Sequence, residues 1–310
     1  MLVEPTKQSW MGRHDPLDGQ AGNRWHHGVQ MGPSQEPGAI NILGFACDEG
    51  VFRNQGRIGA KQGPQHLRAA LANLAIHQPL HLRDLGDVAC HDKNLETAQG
   101  EYAGLAMAAM RKGQFVAGLG GGHEIGFASF AAFNQACPQG TLGILNFDAH
   151  FDLRRDNQRT SGTWALDAFE LAGPRLKYCV FGVASAANTS ALFHTAQRHG
   201  AHFRLDERLT LLHLEEARKD LESWLDQVDH VYLTVCLDVF PAGYAPGVSA
   251  PAALGIAPEV VEALVKVAIR SRKVALMDVA ELNPLHDVDS RTARLGARLV
   301  YQAVNTLVGQ

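Results

Sequence analysis

The sequence predicts an α/β domain in which a parallel sheet of about eight strands is covered on both faces by helices. Three observations carry that expectation: eight short apolar runs, helical spacing between most of them, and several runs that are apolar at nearly every position. Short strands alternating with helices require crossover connections, which leave the strands parallel. A strand apolar on both faces belongs to a sheet that is buried on both sides.

The strand runs lie at 39–47 (AINILGFAC), 82–88, 114–119 (QFVAGL), 141–147 (TLGILNF), 176–183, 201–205, 229–237 (DHVYLTVCL) and 273–279 (KVALMDV). Helical spacing marks 63–76, 94–111, 124–135, 213–227, 258–270 and 290–308. In the last of these, Ala293, Leu295, Ala297, Leu299, Val300, Val304 and Leu307 form one apolar stripe. Residues 1–37 are polar, aperiodic and rich in Gly, Gln and Pro, so they read as an arm packed on the domain. From 38 to 310 no internal repeat or linker breaks the alternation, which predicts one catalytic domain.

Composition narrows the functional classes. A formal charge of −4, from 28 Lys+Arg against 32 Asp+Glu, with no basic run interleaved with aromatics, points away from nucleic acid. Five scattered cysteines without a CxxC pair predict reduced thiols in a cytoplasmic protein. No apolar h-region opens the chain and no apolar run approaches ~20 residues, so no membrane partner is expected.

Sites in open α/β sheets form beyond the carboxyl ends of the strands, and four strand ends here carry polar residues. The first is NFDAHFD, where Asp148, His150 and Asp152 recur with period two; if the segment stays extended, all three point one way. Two carboxylates and an imidazole suit a divalent metal of intermediate hardness such as Mn²⁺. The second is GGGHE, whose glycines permit a tight turn that brings His123 to the sheet edge. The third is Cys236-Leu237-Asp238, again a pair of donors spaced by two, followed by the Pro/Gly-punctuated loop PAGYAPGVSAP. The fourth is Glu281, a carboxylate suited to a cationic amidine or guanidine group. Taken singly, each has a bland alternative: a polar loop, a structural histidine, a buried cysteine, a solvated acid. Together, four strand ends deliver polar residues to the edge where this architecture builds sites, an agreement that coincidence does not explain.

The ordered set GGGHE, NFDAHFDLR, CLDVFPAGYAPGVSAP and MDVAELNP resembles the ureohydrolase (arginase–agmatinase) family, and CDEGVFRNQGRIGAKQGPQHLR at 47–68 is similar to a further segment of that family. The resemblance implies a three-layer αβα, arginase-like fold and a site for two Mn²⁺ ions held by His123, Asp148, His150, Asp152 and Asp238, with Cys236 at a sixth ligand position. It implies a small-molecule substrate and is compatible with a homo-oligomer. The leader WMGRHDP, the segment RWHH and Ser161-Gly162-Thr163 look like the branch that hydrolyses N-formimidoyl-L-glutamate to L-glutamate and formamide in histidine degradation. In that reading a metal-held hydroxide attacks the formimidoyl carbon, Asp152 relays a proton and Glu281 orients the amidinium. Arg154, Ser161 and Gly162 contact the substrate, with Arg155, Arg159 and Arg57 as weaker candidates.

Departures from the family pattern keep two alternatives open. Gly122 stands where the family commonly has Asp, and Cys236 stands where it has a bridging Asp, which predicts a weakened second metal site because thiolate is softer than Mn²⁺ prefers. One alternative is an agmatinase or other guanidino-acid hydrolase. The other is a metal-impaired relative that binds without turnover.

Overall fold

A computed structural model describes residues 1–309. Its strands are β1 (Leu2–Val3), β2 (Gln30–Met31), β3 (Ile40–Ala46), β4 (Leu82–Ala89), β5 (Phe115–Leu119), β6 (Leu142–Phe147), β7 (Leu176–Val183), β8 (His202–Leu205), β9 (His230–Cys236) and β10 (Val274–Ala280). Its α-helices are α1 (Trp25–Gly28), α2 (Glu49–Arg53), α3 (Gly63–Ala72), α4 (Leu95–Met110), α5 (Ile125–Ala136), α6 (Trp164–Ala172), α7 (Ser190–Arg198), α8 (Leu214–Leu225), α9 (Pro258–Arg270) and α10 (Arg291–Val308). The eight expected strands and six expected helices are all present. The two-residue strands β1 and β2, and the helices α1, α2, α6 and α7, were not anticipated from the sequence.

The strands form one sheet in the order β1-β4-β3-β5-β10-β9-β6-β7-β8, with β2 also paired to β4. Every pairing is parallel except that of β1 with β4. Alternate residues of each strand feed two separate cores. One core holds Leu67 and Leu71 of α3 with residues of α8, α9 and α10; the other holds residues of α4, α5, α6 and α7. Two helical layers therefore enclose the sheet, and this is why its inner strands are apolar on both faces. Helix α5 is buried almost all round, from Ile125 to Phe133, and accordingly lacks a polar face.

Residues 1–37 lie along the β4 edge and α3. Trp25 N donates to Leu74 O at 2.9 Å, and Arg24 binds Asp15 at 2.9 Å and Asn73 O at 2.8 Å. Trp10 is buried and its Nε1 donates to Asp84 Oδ2 at 2.6 Å. The same carboxylate accepts both Nε and Nη2 of Arg68 at 2.9 Å each, and Arg68 also pairs with Asp87. Arg68 and Asp84 are both buried, so this ion pair joins α3, β4 and the N-terminal segment where water is absent. Among the described residues no helix is long and apolar enough to cross a membrane.

Candidate metal centre

Strands β5, β10, β9 and β6 are consecutive in the sheet, so their carboxyl ends lie side by side. These are the four strands whose ends carry the polar motifs. The sheet order therefore brings together residues that are 158 positions apart in the chain: His123 N donates to Glu281 Oε1 at 2.7 Å.

The donors form two groups that share one residue. Ligand atoms of His123, Asp148 and Cys236 lie within 4.8 Å of one another, as do those of Asp148, His150 and Asp238. His123 Nδ1 is 2.9 Å from Oδ2 of both Asp148 and Asp152, yet it is buried without a hydrogen bond to either. Three donor atoms so placed converge on a common point rather than on each other. His150 Nδ1 lies 3.1 Å from Asp238 Oδ2 and 3.4 Å from Asp148 Oδ1. Asp238 Oδ1 is likewise buried and unpartnered. Such a set of carboxylates and imidazoles fits divalent cations.

Electrostatics agree. Burial opposes a charge on His123, but Asp148 and Asp152 outweigh it and raise the ring well above the ordinary imidazole pKa. Burial opposes a charge on His150 too, and Asp238 with Asp148 raises it in the same way. Burial also disfavours charge on Asp148, but the two rings hold it well below the usual carboxylate range. Burial and the neighbouring Asp148 push Asp152 up. A cluster that gathers protons this way is one from which a dication displaces them. Cys236 lies within donor reach, but burial and the surrounding carboxylates push its thiol well above the ordinary cysteine value.

The route by which these side chains converge differs from a continued strand. β6 ends at Phe147, His150 N turns back to Asp148 Oδ1 at 2.7 Å, and Asp152 has φ 51°. Glu281 also sits in the left-handed region, at φ 73°. Non-glycine residues seldom adopt this conformation, and these two of the eight such residues border the site, held by surrounding contacts. Trp164 Nε1 donates to Asp152 Oδ2 at 2.5 Å, and Ser249 Oγ donates to Glu281 Oε2. Burial, with Asp238 nearby, raises the Glu281 pKa to about 7 even though Ser249 opposes the shift.

Several residues that hold this arrangement carried no sequence signal. His123 Nε2 pairs with Thr234 Oγ1 at 3.0 Å, so an Nε2–H donated there leaves the Nδ1 lone pair for a cation. Behind it, the hydroxyls of Ser129, Thr234 and Tyr232 surround the buried Asp278 carboxylate. Asn188 Oδ1 accepts from Phe151 N at 3.1 Å and fixes the 148–152 segment. Glu124 fills the space beside Gly122, where a Cβ would collide with its Oε2. Burial and the Glu281 charge raise Glu124 to about 8. Removing the Thr234 hydroxyl in Thr234→Val frees the His123 ring. Affinity for a divalent cation should then fall ~10–100-fold, read by chelator competition against the parent protein.

A chamber of about 260 Å³ opens onto the donors and shares Asn54, Gln55, Arg154 and Leu192 with an outer chamber of about 720 Å³. Of the four arginines considered, Arg154 alone borders the inner chamber, together with Ser161; Arg155 faces only the outer space. Arg57 instead donates to the carbonyls of Ser249, Val248 and Pro246 and ties down that loop. Arg159 lies over the Phe127 ring at 3.8 Å and bonds Gln99. Gly162 does not border the inner chamber; its carbonyl accepts from Arg154 N at 2.9 Å and a Cβ there would press on Arg154 Cδ.

The arginase family profile matches residues 38–305. The chain belongs to the arginase family. Within this arginase-family group, a formimidoylglutamase of Chromobacterium violaceum is 47% identical to the chain over 295 residues, 94% of this chain and 96% of that one. Among solved structures, formimidoylglutamase from Bacillus subtilis superposes with a TM-score of 0.81 at 21% identity, covering 90% and 89% of the two chains. Trypanosoma cruzi formiminoglutamase with Mn²⁺ gives a TM-score of 0.79 at 25% identity, covering 88% of this chain and 94% of that one. The arginase-family architecture thus accounts for the three layers.

Proposed function

We propose that the chain hydrolyses N-formimidoyl-L-glutamate to L-glutamate and formamide, with Mn²⁺ held by His123, Asp148, His150, Asp152, Cys236 and Asp238. The observation that carries the reaction class is the pair of donor groups sharing Asp148 beneath a chamber that has Glu281 on its wall and Arg154 at its border. The 47% identity to a formimidoylglutamase over nearly the whole chain supports the substrate. Five unpaired cysteines support a cytoplasmic location.

Bound divalent ions supply Lewis-acid polarisation and lower the pKa of water. The chain's own groups do the rest. Glu281, fixed by His123 N and Ser249, presents a carboxylate to the substrate's amidinium and orients it. Arg154 takes a substrate carboxylate in a forked pair, with Ser161 beside it. Asp152, pinned by Trp164 and pushed up by burial and the neighbouring Asp148, can hold a proton and pass it to the departing glutamate nitrogen.

The test is a Mn²⁺-supplemented assay on formimidoylglutamate, arginine and agmatine. Turnover of the guanidino compounds but not of formimidoylglutamate overturns the substrate. In Arg154→Ala the loss of a charge-assisted pair, worth about 1.5–3 kcal/mol, should raise KM roughly 10–100-fold and leave kcat within a few-fold. A KM equal to that of the parent removes Arg154 from the substrate site.

A further inference from the structure

The residue whose chemistry is least used by the reaction above is Glu124, a carboxyl group with no solvent exposure. Its Oε1 accepts from Gly50 N at 2.9 Å, and its Oε2 has no hydrogen-bond partner. Two glycines mark the space it takes. A Cβ on Gly50 would lie 2.6 Å from Glu124 Cβ and Cδ, and a Cβ on Gly122 would meet Oε2. Gly50 and Gly122 are 72 positions apart, and the Glu124 side chain crowds both, with Val51 Cγ2 adding to the crowding at Gly122.

Gly50 lies in the first turn of α2, where backbone N–H groups have no partner within the helix. An apolar side chain at 124 would leave that buried N–H unsatisfied, at a cost of about 1–3 kcal/mol. The consequence reaches the substrate chamber through two backbone links. Gly50 O accepts from Ser161 N at 3.1 Å and from Asn54 N at 2.9 Å. Ser161, Asn54 and the adjoining Gln55 all line the inner chamber. On its other side Glu124 is covalently next to His123, and its own carbonyl is held by Gln99 Nε2 at 2.9 Å.

We infer that Glu124 is a positioning residue: its carboxyl group, wedged between Gly50 and Gly122, sets the distance between the metal-donor loop and the wall that holds the far end of the substrate. This rests on the reading of the site as a formimidoylglutamate hydrolase. It adds that substrate fit depends on a carboxyl group that lies outside the substrate chamber and is not itself one of the metal-donor groups.

The test uses Mn²⁺-loaded full-length protein carrying Glu124→Ala or Glu124→Gln. Glu124→Ala should raise KM for formimidoylglutamate and Kd for L-glutamate together, roughly 10–100-fold, the scale of a small misplacement of binding groups. Its kcat should stay within threefold and its Mn²⁺ content should match the parent. Glu124→Gln, whose amide oxygen can still accept from Gly50, should recover most of the loss. Hydrogen exchange read by mass spectrometry should quicken in peptides spanning 48–56 and 159–163 but not 142–150. Loss of Mn²⁺ or of kcat with KM and Kd unmoved overturns the proposal, as does parental behaviour of Glu124→Ala. Should Glu124→Ala fail to fold, Gly50→Ala presses the same wedge from the other side and must give the same KM, Kd and exchange pattern. If the parent does not turn over formimidoylglutamate, the functional reading fails, and the exchange pattern still decides the wedge.

Discussion

An Asp148→Ala variant should lose turnover of formimidoylglutamate by ~10³-fold or more, equivalent to at least about 4 kcal/mol of barrier, and its bound Mn²⁺ should drop with it. The size of the effect follows from position. Asp148 is the one residue common to both donor groups, with Oδ2 beside His123 and Oδ1 beside His150. It is fully buried and held in place by Asn146 Nδ2 at 3.2 Å and His150 N at 2.7 Å. Loss of Cys236 or Asp238 would strip one group; loss of Asp148 strips both. Metal content by mass spectrometry and kcat on the same preparation decide the point. Undiminished activity with parental metal content would sink the assignment.

The largest effect on stability is expected at Arg68. Its guanidinium is buried against Asp84 and Asp87, and Asp84 also accepts from Trp10 Nε1 and Gly86 N. Arg68→Ala leaves an uncompensated buried carboxylate, which costs about 3–5 kcal/mol. In a chain of this size that lowers Tm by roughly 10 °C. The pair lies on α3 and β4, away from the four strands that carry the donors, so kcat of the folded fraction should hold. Adding Asp84→Leu to Arg68→Met should recover part of the loss but not all, because Trp10 Nε1 and Gly86 N then lack an acceptor. A Tm equal to the parent's in Arg68→Ala would show that the pair contributes nothing net.

The strands and long helices were legible because each is long enough to show its period. The sheet's burial on both sides made several of the eight runs apolar at nearly every position, and α10 keeps its stripe over 18 residues. What was missed is short or locally ambiguous. β1 and β2 have two residues each, α2 has five, and α7 follows a turn with only nine. The candidate donors stood out because each lies at or just beyond the end of a strand that is itself legible. Their convergence was expected from a continued extended segment, whereas Asp152 arrives through a left-handed backbone that no spacing rule foretells. Substrate arginines were the least legible: Arg57, Arg154 and Arg159 look alike in sequence, and only packing separates a loop tie from a chamber wall. Glycine at 122 reads as a lost carboxylate, yet the volume is taken by a carboxyl group two residues on.

The strand order also governs how the molecule is made. β10, which lies between β5 and β9 at the middle of the sheet, is made after every other described strand. A nascent chain that stops short of Val274 therefore carries an open seam between two apolar edges, with neither core complete. Cooperative closure must wait until β10 has been made, the kind of long-range pairing that folds slowly and exposes sticky edges meanwhile. Glu281 follows β10 directly, so the donor cluster acquires its last wall in the same event that zips the sheet shut. C-terminal truncations should accordingly appear as insoluble chains rather than as folded enzymes with a damaged site.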